Sequence, residues 1–148
     1  PNPVRMGDEL WIYYYGKNRD HNSFDDPAAS QYMAGIDRAI MRLDGFVSVD
    51  ADYAGGELVT PLITFAGKRL ELNFDGGAGG SVRVELLDEK DKPLDGYSDA
   101  AAEPLFGNSV RLPVRWGDRT DVSSLAGRPI KIRFRMRDCK LYAFQFVE

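Results

Sequence analysis

The sequence predicts an all-β fold: a β-sandwich of jelly-roll type, built from two antiparallel sheets, with an N-terminal strand pair added. Three observations carry that expectation. Short segments alternate between apolar and polar residues with period two, turn signals containing Gly, Asp or Pro separate them, and only residues 27–43 place apolar residues at helical spacing.

Taken in order, Glu9–Tyr15 is rich in aromatic residues and ends at Gly16. Pro27–Leu43 admits two readings. Asp26 as a cap, Pro27 in the first turn and Gly45 beyond the end favour a helix, whereas Gly35 in its middle and the alternation of Ile36–Leu43 favour a strand. Phe46–Val49 follows an Asp44-Gly45 turn, and Leu58–Phe65 contains Pro61, which confines it to an edge or a bend. Arg69–Phe74 points Leu70, Leu72 and Phe74 inward, and Ser81–Leu87 does the same with Val82, Val84 and Leu86. Val110–Trp116 is interrupted by Pro113. Ile130–Arg137 and Leu141–Val147, separated by Asp138-Cys139-Lys140, read as a tight hairpin.

Composition narrows the function classes. The 148 residues suit a chain of domain size, and a net charge of −4 with 11% aromatics fits neither a nucleic-acid binder nor a disordered segment. No apolar run approaches the ~20 residues that a membrane-spanning helix needs, which argues against a membrane partner. One cysteine, Cys139, leaves no internal disulfide, and one histidine, His21, leaves no histidine-rich metal site. No cofactor and no metal is expected. The chain opens at Pro1 without a Met or a leader pattern, so it reads as a fragment or processed product of something longer, and its compartment is not legible.

The charge is uneven. Residues 1–60 hold 10 acids and 5 bases, whereas residues 106–148 hold 4 acids and 9 bases. The basic excess centres on Lys131, Arg133, Arg135 and Arg137, which share the outward face of one strand opposite Ile132, Phe134 and Met136. Such a stripe either grips an anionic polymer such as an acidic polysaccharide or pairs with carboxylates on neighbouring strands, Glu71 and Glu85 having the right parity. The pairing reading is favoured, because one strand is too narrow for a patch.

Other candidates are weaker. Asp75-Gly76-Gly77-Ala78-Gly79-Gly80-Ser81 resembles a phosphate cradle, but it leads into a strand rather than a helix N-terminus, so it reads as a flexible hairpin loop. His21 and Asp20 lie in a polar loop with Asn22, Ser23, Asp25 and Asp26, without the spacing of a nucleophile elbow or an EF-hand. Trp11, Tyr13 and Tyr15 share one face of their strand, with Ile12 and Tyr14 on the other. An all-round aromatic strand is favoured as buried between two layers, the alternative being a stacking platform for sugar rings.

Three stretches together resemble a known layout. Gly7–Gly16 (GDELWIYYYG) with the following Asp20-His21 looks like the last blade of a five-bladed β-propeller glycosidase, the group that includes glycoside hydrolase families 32, 43 and 68. Gly35–Ser48 looks like the exit strand from that propeller. Leu58–Pro61, Leu70–Asn73, Ser81–Glu85, Trp116, Leu125–Gly127 and Leu141–Phe146 resemble the body of the C-terminal β-sandwich in bacterial glycosyl hydrolases. The resemblance implies terminal propeller strands over residues 1–44, a sandwich over 45–148, and strand rather than helix for Ile36–Leu43. It also implies that the catalytic carboxylates belong to earlier blades, so no catalytic residue is assigned here. The expected function is then a non-catalytic accessory module that packs on and stabilises an upstream propeller. The alternative is a carbohydrate-binding module. Trp11, Tyr15, Asp20, His21 and Trp116 are the ligand-binding candidates on that second reading. An extracellular or periplasmic parent is suggested by the resemblance alone, and exposed strand edges leave room for homo-oligomerisation.

Overall fold

A computed structural model describes residues 2–18 and 34–148. The chain divides into two compact units, residues 1–45 and 46–148. The expected cap at Asp26 and the start of the helical alternative lie outside the described residues.

In the first unit, β1 (Val4–Met6), β2 (Glu9–Lys17) and β3 (Ala34–Arg42) form an antiparallel sheet in the order β1-β2-β3. The turn Gly7-Asp8 joins the first two strands, and Gly7 takes φ +63, a conformation that costs glycine little. β2 and β3 pair without a break from Glu9↔Arg42 to Lys17↔Ala34. This settles the helix-or-strand question for residues 34–42. Nine consecutive cross-strand partners outweigh the helical spacing of the apolar residues, and Gly35, a weak point in a helix, lies opposite Gly16. The N-terminal element is therefore a three-stranded sheet rather than a pair.

The second unit is the sandwich that the alternation predicts. One sheet has the order β4 (Val49–Ala51), β11 (Cys139–Val147), β6 (Arg69–Asp75), β9 (Asn108–Pro113). The other has the order β5 (Gly56–Val59), β10 (Lys131–Arg137), β7 (Ser81–Leu87), β8 (Leu105–Phe106). Every neighbouring pair is antiparallel. Along the chain, the first, eighth, third and sixth strands make one sheet and the second, seventh, fourth and fifth the other, which is the jelly-roll arrangement. The inward residues are those that parity predicts: Leu70, Leu72, Phe74, Val82, Val84, Leu86, Ile132, Phe134 and Met136 are buried. Phe134 meets Phe144 across the core at 5.5 Å between ring centroids, and Phe65 stacks on Phe146 at 3.7 Å.

Prolines end strands where expected. β5 stops at Val59, two residues before Pro61, and Pro113 closes the edge strand β9, where its missing N–H costs no ladder bond. The segment expected as Phe46–Val49 becomes a strand only from Val49 to Ala51, the residues with partners on β11, and Phe46 and Val47 are exposed.

Two local expectations are corrected by this topology. Residues 130–147 are not a hairpin: β10 and β11 lie in different sheets, and Asp138, at φ 49, turns the chain from one layer to the other. The glycine loop 76–80 is likewise a crossover between β6 and β7 in different sheets, and it is not loose. Gly76 and Gly80 are buried, Gly80 N–H donates to the Gly76 carbonyl at 2.6 Å, and Gly80 packs on the backbone of Asp138. Two crossovers pressed together leave no room for a Cβ at Gly76 or Gly80, while Gly77 takes a left-handed φ of 52 that glycine adopts at little cost.

Several turns are held by carboxylates. Asp121 accepts from the Ser123 N–H at 2.7 Å, and Asp88 accepts from Lys90 N–H at 2.8 Å and Lys92 N–H at 2.9 Å. The Ser123 hydroxyl and then its N–H hold the Asp121 carboxyl below its ordinary range. The Lys92 N–H does the same for Asp88, and the Lys140 ammonium for Asp50. Carboxyls that are more acidic in the folded chain stabilise it above their unfolded pKa of ~3.9, and the contribution fades as pH falls through the lower folded values. The melting temperature should therefore be flat from neutrality to mildly acid pH and fall below pH ~4. Calorimetry on Asp121→Asn should show a shallower acid limb than the parent.

Candidate functional site

Three places in the described residues gather the groups from which a site could be made: the aromatic N-terminal sheet, the outward face of the β5-β10-β7-β8 sheet, and the cleft beside the glycine crossover.

In the N-terminal sheet, cross-strand partners share a face, so Trp11, Tyr13 and Tyr15 lie with Val4, Ile36, Arg38 and Ile40. Ile12 and Tyr14 lie on the opposite face with Asp37 and Ala39. Tyr13, Tyr14 and Tyr15 are exposed, Tyr15 at 62% and Ile36 at 80%. Among the described residues of its own unit, the strand is therefore not buried between two layers. Trp11 is half-buried. Its indole N–H donates to Glu9 at 2.7 Å, and the Arg38 guanidinium lies 3.7 Å above its ring, so one face is already occupied by a cation. On the other side of the sheet the Tyr14 hydroxyl donates to Asp37 at 3.2 Å, and that carboxylate raises the tyrosine pKa above its ordinary value.

The outward face of β10 carries the four predicted cations, and the structure shows what each one meets. Lys131 pairs with Asp91 at 2.6 Å. Arg133 pairs with Glu85 at 2.9 Å and with Glu57 at 3.2 Å, and Arg135 reaches Glu57 and Asp99, each at 3.7 Å. Glu85 is buried beneath the segment that follows β7, where it also accepts the Asp99 N–H at 3.1 Å. Arg83, directly opposite Arg135, donates to the carbonyls of Asp99 and Ala102 at 3.2 and 3.1 Å and so anchors that segment. The pairing expectation holds for Glu85 and fails for Glu71, which lies on β6 in the other sheet, opposite Gln145. Arg137 is different. Its contacts among the described residues are a hydrogen bond from Nε to the Tyr53 carbonyl at 3.2 Å and its stacking 4.0 Å over the Tyr53 ring.

Removing the buried acid of this network should be costly. Glu85→Ala leaves the Arg133 guanidinium with only the more exposed Glu57 and the Asp99 N–H without its acceptor, and is expected to destabilise the fold by about 3 kcal/mol. Urea denaturation checks this, with Glu57→Ala, at an exposed carboxylate, expected to cost less than about 1 kcal/mol.

The cleft by the glycine crossover, about 350 Å³, is lined by Asp50, Asp75, Gly77, Asp138, Cys139 and Lys140. Asp50 is engaged by Lys140, and the Asp75 carboxylate accepts the Gly77 N–H at 2.9 Å. Cys139 is buried, donates to the Ser81 carbonyl at 3.4 Å, and burial raises its thiol pKa, which makes it a poor nucleophile. Among the described residues no cluster of His, Cys, Asp and Glu is arranged to hold a metal ion.

Of the predicted ligand-binding residues, Trp11, Tyr15 and Trp116 lie among the described residues. Trp116 is a core residue, 3% exposed, with its indole N–H donating to the Val84 carbonyl at 2.8 Å and its ring edge-on to Tyr97 at 5.0 Å. It has no face to offer a sugar, which corrects the stacking role expected of it. Trp11 and Tyr15 belong to the first unit, and Asp20 and His21 lie outside the described residues. The feature that reading the sequence missed is that Arg137, among the described residues, meets the Tyr53 ring and carbonyl rather than a carboxylate, because alternation shows which residues point outward but not what sits beside them. No family model, no curated protein and no solved structure matches the chain.

Proposed function

We propose that the chain is a non-catalytic jelly-roll module of a glycosyl-hydrolase-like protein, and that its N-terminal sheet belongs to a β-propeller that the module packs on and stabilises. One observation carries this reading: the β1-β2-β3 sheet has apolar and aromatic side chains on both faces, many of them exposed. A sheet in a two-layer sandwich needs only one apolar face, whereas a propeller blade is flanked by a blade on each side and needs two. The near-continuous run Leu10–Tyr15 has the composition of a strand covered twice.

The charged groups of the jelly roll support a structural role. Its buried carboxylate, Glu85, is committed to Arg133 and to the Asp99 backbone, and its tryptophan to the core. The carbohydrate-binding alternative loses Trp116 altogether and one face of Trp11.

The test uses the natural gene product with any sequence that precedes Pro1. The reading expects propeller repeats there, and expects Tyr13→Ser and Tyr14→Ser, one on each face, both to lower the melting temperature of that protein. Absence of such repeats, or a melting temperature untouched by both substitutions, would refute it.

A further inference from the structure

We infer that the jelly roll carries a binding row for an acidic polysaccharide on the outward face of the β5-β10-β7-β8 sheet, formed by Tyr53, Arg137, Ser81 and Phe106. This is independent of the propeller reading. Arg137, Ser81 and Phe106 are successive cross-strand partners on β10, β7 and β8, so their side chains stand on one face in one line. Met136, Val82 and Leu105 are buried, which fixes that face as the outward one. Tyr53 extends the line on the far side of Arg137, with the guanidinium stacked on its ring. Tyr53 is 72% exposed and Phe106 59%.

Charge selects the ligand. Among the described residues, three of the four cations on β10 are matched by carboxylates, and Arg137 is matched instead by an aromatic ring and a carbonyl. The stacking and the Nε bond hold the guanidinium plane in place, and its terminal N–H groups are suited to grip a carboxylate through paired bonds. Two strand spacings, roughly 10 Å, separate Arg137 from Phe106. A uronate-containing chain fits this line: one sugar packs on the part of the Tyr53 ring that the guanidinium leaves uncovered, with its carboxylate on Arg137, and another ring lies on Phe106.

An acidic peptide fits less well. A peptide strand adds to an open sheet edge, and the edges of this sheet are β8, two residues long, and β5, four residues long with Pro61 following. Flat exposed rings on either side of one cation suit a stiff ring polymer better.

The experiment is affinity electrophoresis of the 148-residue chain in gels containing polygalacturonate, hydroxyethyl cellulose or poly-L-glutamate. Polygalacturonate is expected to retard the chain, less so as salt is raised, and hydroxyethyl cellulose is not. Arg137→Gln and Tyr53→Ala should each weaken retardation about tenfold, and Phe106→Ala severalfold, while Arg128→Gln, at an exposed cation elsewhere, should leave it unchanged. The altered side chains are exposed, so near-ultraviolet circular dichroism should stay that of the parent. No retardation by polygalacturonate, or retardation that survives both Arg137→Gln and Tyr53→Ala, would overturn the assignment. Stronger retardation by poly-L-glutamate would overturn it in favour of an acidic protein.

Discussion

Gly80→Ala is expected to destabilise the jelly roll by about 3 kcal/mol or more, one of the largest effects available to a single added methyl group. A Cβ at residue 80 would lie inside the van der Waals shell of the Asp138 carbonyl oxygen and 2.6 Å from the carbonyl oxygen of Gly76. Both obstacles are backbone, and both belong to crossovers that carry the chain between sheets, so neither yields without moving a strand. Gly79→Ala provides the contrast within the same loop. Nothing lies within 4 Å of a Cβ there and its φ is not in the left-handed region, so the substitution should be neutral or stabilise by a few tenths of a kcal/mol through the unfolded chain. Urea denaturation of the pair separates close packing from simple loop flexibility. If the crossover were loose, the two variants would behave alike.

Trp116→Ala should cost about 3–5 kcal/mol. The ring is buried among Tyr97 and the core, and its loss leaves a cavity as well as a Val84 carbonyl without its donor. For a domain of this size the melting temperature should fall by roughly 15 °C or more. Trp116→Phe keeps most of the volume and loses the hydrogen bond, and should cost less than half as much. A Trp116→Ala chain as stable as the parent would return the residue to the surface.

The alternation in β6, β7 and β10 was enough to name their inward residues, because a period of two ties side chain to face whatever the partner strand turns out to be. Pro61 and Pro113 were legible as edges for an equally local reason. Partnering across layers was not. Asp138 and the glycine run look like hairpin turns in sequence because a short connection between two strands is usually one. Here both cross between sheets, a choice fixed by the pairing of β11 with β6 and of β10 with β7. Trp116 sits in a segment with no clear period, so its burial depended on Val84 and Tyr97, residues distant along the chain. The same holds for the basic stripe. Its direction was readable, but the distinction between Arg133, held by Glu85 and Glu57, and Arg137, held by Tyr53, exists only in three dimensions. For β3, nine partners on β2 decided against the helical spacing, an instance of tertiary pairing overriding a local pattern.

Jelly rolls serve many functions, so the fold alone does not select one. What gives the proposed role its content is the doubly apolar sheet attached to the sandwich. Hydrogen–deuterium exchange at the β2 amides of Leu10–Tyr15 tests this most directly, comparing the 148-residue chain with the natural gene product that includes any sequence before Pro1. The account predicts fast exchange in the shorter chain and protection in the longer protein, with the amides of β6, β7 and β10 protected in both. Equal exchange of the β2 amides in the two would contradict it.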